Sequence, residues 1–238
     1  MKGKKLKAIL FDLDGTLLPM DNEHFTKVYF GLLVKKLAPF GYNPDELIEV
    51  IWGGVKAMVK NDGSKKNEEA FWEVFSSKYG NRTQKDKPLF DEFYNNEFSQ
   101  SVSATEKNPF AKEAVMVAKE KADYVILATN PIFPHTAVRE RLSWIGLTPE
   151  DFDFVTTYEN SSYAKPNPIY YKDILHKFNV EPENAFMVGN DVGEDIIPTA
   201  QLGIKSYLVC DNPIGDITKA DNKGCFMDMI EYLKTIDK

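Results

Sequence analysis

In the stretch AILFDLDGTLL, two aspartates with one leucine between them, Asp12 and Asp14, follow directly on an apolar run. Such a run reads as a buried strand. A carboxylate is costly to bury without a partner, so this pair must meet water, a cation or a substrate. Three further polar clusters follow other apolar runs. Thr129 and Asn130 come after YVILA, Lys165 lies in the loop YAKPNP after FVTT, and Asn190, Asp191 and Asp195 come after FMVG. Brought into one crevice, these carboxylates would repel unless a cation joined them. Oxygen donors suit a hard cation, and Mg2+ usually takes one or two carboxylates together with phosphate and water. A phosphate there would also give the lysine and the hydroxyl a purpose. A carboxylate can attack phosphorus to form an acyl phosphate, and a second carboxyl can protonate the leaving alcohol and later activate water. Gly15 would let the chain turn sharply, with backbone N–H groups free to face phosphate oxygens.

The elements that must position these residues fall into two kinds. Strand one is LKAILF (6–11). From there to about residue 100 every periodic segment is helical, at 22–40, 44–61, 67–80 and 88–98, with Asp21 as an N-cap, Pro44 in a first turn and Gly80 as a stop. Beyond residue 108 strands alternate with helices. The strands are DYVILAT, FDFVTT, NAFMVG and KSYLV; the helices are 109–122, 134–146, 167–179, 194–203 and one through MDMIEYLKTI. Alternation of this kind predicts an α/β fold, a doubly wound Rossmann-like parallel sheet core with an inserted all-helical cap domain. The division is 1–18 and 104–238 for the core and 19–103 for the cap, with hinges near 16–20 and 100–108. In such sheets ligands bind beyond the carboxyl ends of the strands, where all four polar clusters fall.

The 238-residue chain is long enough for a substantial core, and its formal charge of -7 without a basic stripe argues against nucleic acid. The Lys-rich lead Lys2–Lys7 is followed by too short an apolar stretch for a signal peptide. No segment has the length of a membrane span. Cys210 and Cys225 have no metal-ligand spacing and read as reduced thiols, so the expected location is the cytoplasm.

The sequence resembles the haloacid dehalogenase (HAD) superfamily, in its helical-cap phosphatase-like branch. FDLDGTL (11–17) is similar to the first motif of that family. Thr129–Asn130 fits the second, AKPNPIYY (164–171) the third and MVGNDVGEDI (187–196) the fourth. The resemblance implies a Mg2+-dependent hydrolase of a small phosphorylated metabolite. Asp12 would be the nucleophile and metal ligand, and Asp14 the acid and base with its carbonyl on the metal. Thr129 and Lys165 would hold the transferring group, helped by Gly15, Thr16 and Asn130. The fourth motif would supply the remaining metal oxygens, from Asp191, Asn190 and Asp195. It departs from the common form, in which Asp follows Gly directly. If Asn190 takes the ligand place, an amide replaces a carboxylate. If Asp191 takes it, the spacing of four to Asp195 fits another family pattern, and this second register is preferred.

Rival readings remain at this level. A phosphomutase shares the first steps, a dehalogenase shares the aspartate nucleophile, and a regulatory module could bind phosphate and metal without turnover. Asp14 favours phosphoryl transfer over dehalogenation. The cap aromatics (Phe25, Tyr29, Phe30, Trp52, Phe71, Trp72 and Phe75) are expected mostly in the core, with one or two facing the crevice. Gly53 and Gly54 are costly inside a helix and are expected to allow close helix packing rather than a bend. His24, His135 and His176 receive no role.

Overall fold

The computed structural model describes residues 6–236; the lysines at 2–5 lie outside the described residues. The chain opens with strand β1 (Leu6–Phe11). Four helices follow: α1 (Asn22–Leu37), α2 (Pro44–Val59), α3 (Asn67–Tyr79) and α4 (Arg82–Asn95). A 3₁₀ stretch, Glu97–Ala104, returns the chain to the core. Then come α5 (Ala111–Lys121), β2 (Ala122–Leu127), α6 (His135–Ser143), β3 (Phe154–Val155), α7 (Pro168–Lys177) and β4 (Ala185–Gly189). A π turn at Val192–Ile196 leads into α8 (Ile197–Gln201), and β5 (Lys205–Val209), β6 (Asn222–Gly224) and α9 (Phe226–Thr235) complete the fold.

The six strands among the described residues are all parallel, in the order β3-β2-β1-β4-β5-β6. Successive side chains on a strand point to opposite faces, and both faces here are apolar. Ile9 and Phe11 join one core cluster with residues of α5, α6 and α9, while Ala8 and Leu10 join another with α7. This is why the strands read as continuous apolar runs. The chain first builds outward from β1 through β2 to β3, then crosses back to place β4 on the other side of β1. The crevice between the ends of β1 and β4 is therefore the topological switch point.

Every regular element between β1 and β2 is helical. The two connections to this helical segment run side by side: Met20 bridges Thr105, and the Glu106 N–H donates to the Pro19 carbonyl at 2.8 Å. The larger apolar cluster is continuous from the sheet into the segment, through Phe25, Tyr29, Phe93 and Phe98.

Four details differ from the sequence reading. The sixth strand was not expected, because NKG is short and polar and is recruited only by pairing with β5. The segment FDFVTT contributes just two strand residues. Helix α4 begins at Arg82 and carries Pro88 inside it, rather than starting there; burial of Thr83, Phe90 and Phe93 holds both halves despite the lost N–H. The 194–203 helix is a π turn joined to a short α-helix. At Gly53 and Gly54 the reading as close packing holds. Helix α2 runs through both, and a Cβ at Gly54 would run into the Phe71 ring of α3.

Candidate active site

Asp12 leaves the end of β1 with its N–H bonded to Val188 of β4, which fixes it at the switch point. The turn after it depends on Gly15, whose φ of +82° suits glycine and whose Cα faces the Asn190 side chain with no room for a Cβ. The Gly15 and Thr16 N–H groups donate to the Leu18 and Leu13 carbonyls. They close the turn, so these two N–H groups are not the ones free to face a phosphate. The Leu13 and Asp14 N–H groups have no partner among the described residues and are the donors left open. The Thr16 hydroxyl lies 3.2 Å from both the Asp12 carboxylate and the Asn190 Oδ1.

Lys165 is fully buried between two carboxylates, with Nζ 2.7 Å from Asp12 Oδ1 and 2.6 Å from Asp195 Oδ1. Desolvation pushes the Lys165 pKa down, but the charges of Asp12 and Asp195 outweigh it and hold it well above the ordinary lysine value. For Asp12 the balance also runs upward. Burial raises its carboxyl, Lys165 pulls it down, Asp195 and Asp14 push it up, and the result is about 8. A buried carboxyl held this way gains its charged form most directly from a further positive charge.

Asp195 spends both oxygens. One binds Lys165, and the other accepts the N–H groups of Asn190 and Asp191 at 3.1 Å. These bonds hold the lysine and the β4 loop in place. Asn190 is likewise committed, since its Nδ2 donates to the Asn212 carbonyl at 2.7 Å while its Oδ1 faces Thr16. An aspartate could not make that donation. Asp191 accepts the N–H groups of Gly193 and Glu194 on Oδ1, and its Oδ2 takes no hydrogen bond among the described residues. Of the three, Asp191 has the freest oxygen.

Two participants were missed. Arg141, on α6, is fully buried; it pairs through Nη1 with Asp14 Oδ2 and lies 4.5 Å from the Phe133 ring centre. It could have been found. Ala137, Val138, Arg141 and Leu142 form the buried stripe of α6, and a charge on such a stripe demands a partner. Glu194 receives the Asn130 amide on both oxygens, at 3.1 and 3.0 Å. Burial raises its carboxyl, Lys165 lowers it, and Asp195 and Asp191 raise it again, to about 7. Nothing in its position distinguished it from an acid at a helix start. Thr129 is held through its carbonyl, which accepts the Thr156 hydroxyl at 2.7 Å and the Tyr170 hydroxyl at 2.8 Å.

Asp12, Asp14, Thr129, Asn130, Asn190, Asp191 and Asp195 thus line one cavity, joined by Glu194, with Lys165 behind Asp12. The cavity measures about 250 Å³ and extends under the helical segment. Far more than one or two aromatics of the helical segment reach it, eight among the described residues, because α1, α2, α3 and α4 turn their aromatic faces toward the crevice as well as toward each other. No three His, Cys, Asp or Glu side chains among the described residues converge as a ready-made cage for a metal. The buried Asp14 Oδ1 has no partner among the described residues, and the surplus of carboxylates over cations is the donor chemistry that a hard cation sharing its shell with phosphate and water requires. No helix among the described residues is long and apolar enough to cross a membrane.

Comparison with known proteins agrees with this architecture. A phosphoglycolate phosphatase of Aquifex aeolicus is 27% identical over 203 residues, covering 85% of this chain and 84% of that protein. A ribulose-1,5-bisphosphate 5-phosphatase of Halopiger xanaduensis is 22% identical, covering 91% and 90%. The crystal structure of a HAD phosphatase from Thermococcus onnurineus shares the fold, with a TM-score of 0.62 at 19% identity over 98% of this chain and 100% of that one. Residues 6–203 match the family pattern of haloacid dehalogenase-like hydrolases, and the chain belongs to that family of enzymes.

Proposed function

We propose that this protein is a Mg2+-dependent phosphatase that hydrolyses a small phosphomonoester through a phosphoaspartate on Asp12. The observation that carries this reading is the placement of Asp12. It stands at the switch point against the buried Lys165, with a second carboxyl, Asp14, two residues on. The phosphatase names of the two relatives support the same chemistry.

An Asp12 oxygen attacks phosphorus, and the bond from phosphorus to the ester oxygen breaks. Asp14 gives its proton to the departing alkoxide. A water then attacks the phosphorus of the acyl phosphate while Asp14 takes its proton, which releases phosphate and regenerates the Asp12 carboxylate. The open N–H groups of Leu13 and Asp14, together with Thr129, hold the phosphoryl oxygens, and Lys165 behind Asp12 balances the charge. Arg141 fixes the direction of the Asp14 carboxyl. Residues 19–103 act as a cap on the 1–18 and 104–238 core, excluding water and selecting the alcohol. Mg2+ would be held by Asp12, the Asp14 carbonyl and Asp191, and it would supply charge neutralisation for the nucleophile and phosphate.

The test is phosphate release from a panel of phosphomonoesters, with and without Mg2+. Wild type should turn over only with the metal and Asp12→Asn not at all. Asp191→Asn should raise the Mg2+ concentration needed for half-maximal rate. Substantial metal-dependent hydrolysis by purified Asp12→Asn would sink the proposal.

A further inference from the structure

The cap side of the cavity has an unusual composition. Eight aromatic residues line it from the helical segment and two, Phe133 and Tyr158, from the core. Among the described lining residues there is no Lys, Arg or His. The ring centres of Phe30 and Trp52 lie 5.5 Å apart, and those of Phe71 and Trp72 lie 5.1 Å apart. Trp52 is 50% exposed, a large apolar surface left open at a cavity instead of in the core. The polar atoms of the walls are neutral. The Tyr29 and Tyr94 hydroxyls bond each other at 2.8 Å, and burial holds the pKa of both above the ordinary tyrosine value.

The cations that touch lining residues are already engaged, including Lys87, which lies 5.4 Å from the Trp72 ring centre and pairs with Glu68. Lys165 is shared by Asp12 and Asp195, and Arg141 is paired with Asp14 under the Phe133 ring. Five carboxylates, those of Asp12, Asp14, Asp191, Glu194 and Asp195, line the floor. A substrate bringing a second carboxylate or phosphate would have to desolvate it among rings, facing acids, with no unpaired side-chain cation in the described lining to receive it and the proposed Mg2+ taken by the reacting phosphoryl group. A flat uncharged group loses nothing there and gains stacking contacts. Size narrows the choice further. A cavity of about 150 Å³ accommodates benzene, so 250 Å³ admits a single ring together with a phosphoryl group.

Resting on the phosphatase reading, we propose that the substrate is a phosphomonoester of a compact, uncharged alcohol bearing one ring, stacked between Phe30, Trp52, Phe71 and Trp72, and that esters with a second anionic group are rejected. The carboxylate-bearing ester named for the Aquifex aeolicus relative would then be a poor substrate here.

The experiment compares benzyl phosphate, 2-phosphoglycolate and phosphocholine as substrates. It also measures binding of the non-hydrolysable benzylphosphonate and phosphonoacetate by tryptophan fluorescence. Benzyl phosphate should exceed 2-phosphoglycolate in kcat/KM by about 100-fold. Trp52→Ala and Phe71→Ala should each raise its KM about tenfold while changing kcat less. A kcat/KM for 2-phosphoglycolate or phosphocholine equal to or above that for benzyl phosphate overturns the substrate class and leaves the phosphatase reading standing. Tight benzylphosphonate binding with weak phosphonoacetate binding, but no turnover of any ester, overturns the phosphatase reading and leaves the pocket preference standing. Failure to bind benzylphosphonate overturns the pocket preference itself.

Discussion

Replacing Lys165 with methionine isolates the electrostatics of the site. The ammonium is fully buried and lies 2.7 and 2.6 Å from two carboxylates that are themselves buried. At an effective dielectric of about 20, each contact is worth roughly 6 kcal/mol of Coulomb energy before desolvation is counted. Methionine fills much of the same volume and removes the charge, which strands Asp12 beside Asp195. Breaking a buried pair on one side costs about 3–5 kcal/mol, a large share of the 5–15 kcal/mol that typically holds a domain together. For a chain of this length the thermal midpoint should fall by roughly 6–20 °C. The second half of the cycle is Asp195→Asn. In the native background it removes a partner of Lys165 and destabilises. In the Lys165→Met background it removes one of two stranded charges, while its amide oxygen still accepts the N–H groups of Asn190 and Asp191. There it should recover about 1–2 kcal/mol. Urea unfolding of the four proteins in Mg2+-free buffer at pH 9, above the value of about 8 at which Asp12 gains its charge, followed by tryptophan fluorescence, measures the cycle. If Asp195→Asn costs the same in both backgrounds, the lysine is not what makes two buried acids tolerable, and the reasoning fails.

Two other perturbations have signs that the structure sets. Gly54→Ala should destabilise by about 1–3 kcal/mol, because overpacking against the Phe71 ring outweighs the roughly 1 kcal/mol that alanine gains in helix propensity; calorimetry reads the difference. In the metal-free protein Glu194, pushed from 4.5 to about 7 by burial first, binds its proton more tightly folded than unfolded. Its contribution to stability is therefore full below pH 4.5 and lost as the pH rises through about 7, on the order of 3 kcal/mol. Glu194→Gln should flatten that fall in unfolding curves taken with a chelator present, and an unchanged slope would refute the assignment.

The sequence alone carried the chemistry that is local. Asp12, Leu13 and Asp14 are consecutive, and an apolar run ending in acids places them at a strand end whatever the rest of the chain does. The same logic located Thr129, Lys165 and the Asn190–Asp195 loop, because in a parallel sheet every strand delivers its C-terminal residues to one edge. The helical character of residues 22–95 was legible from 3.6-residue spacing, although Pro88 was misread because proline is ambiguous between a helix start and a helix interior held by packing. Other features depended on partners distant in the chain. The pairing of Arg141 with Asp14 spans 127 positions, and the Asn130–Glu194 contact spans 64. Strand β6 exists only because β5 offers it an edge. The roles of Asn190 and Asp195 were open in one dimension, since spacing cannot say which oxygen is already spent. Only the folded arrangement, with Asn190 bonded to Asn212 and Asp195 to Lys165, leaves Asp191 with a free oxygen. In the same way, helical periodicity announces an apolar face but not what that face meets. Tertiary packing decided that the aromatic faces of the helical segment close over the acids as well as over each other.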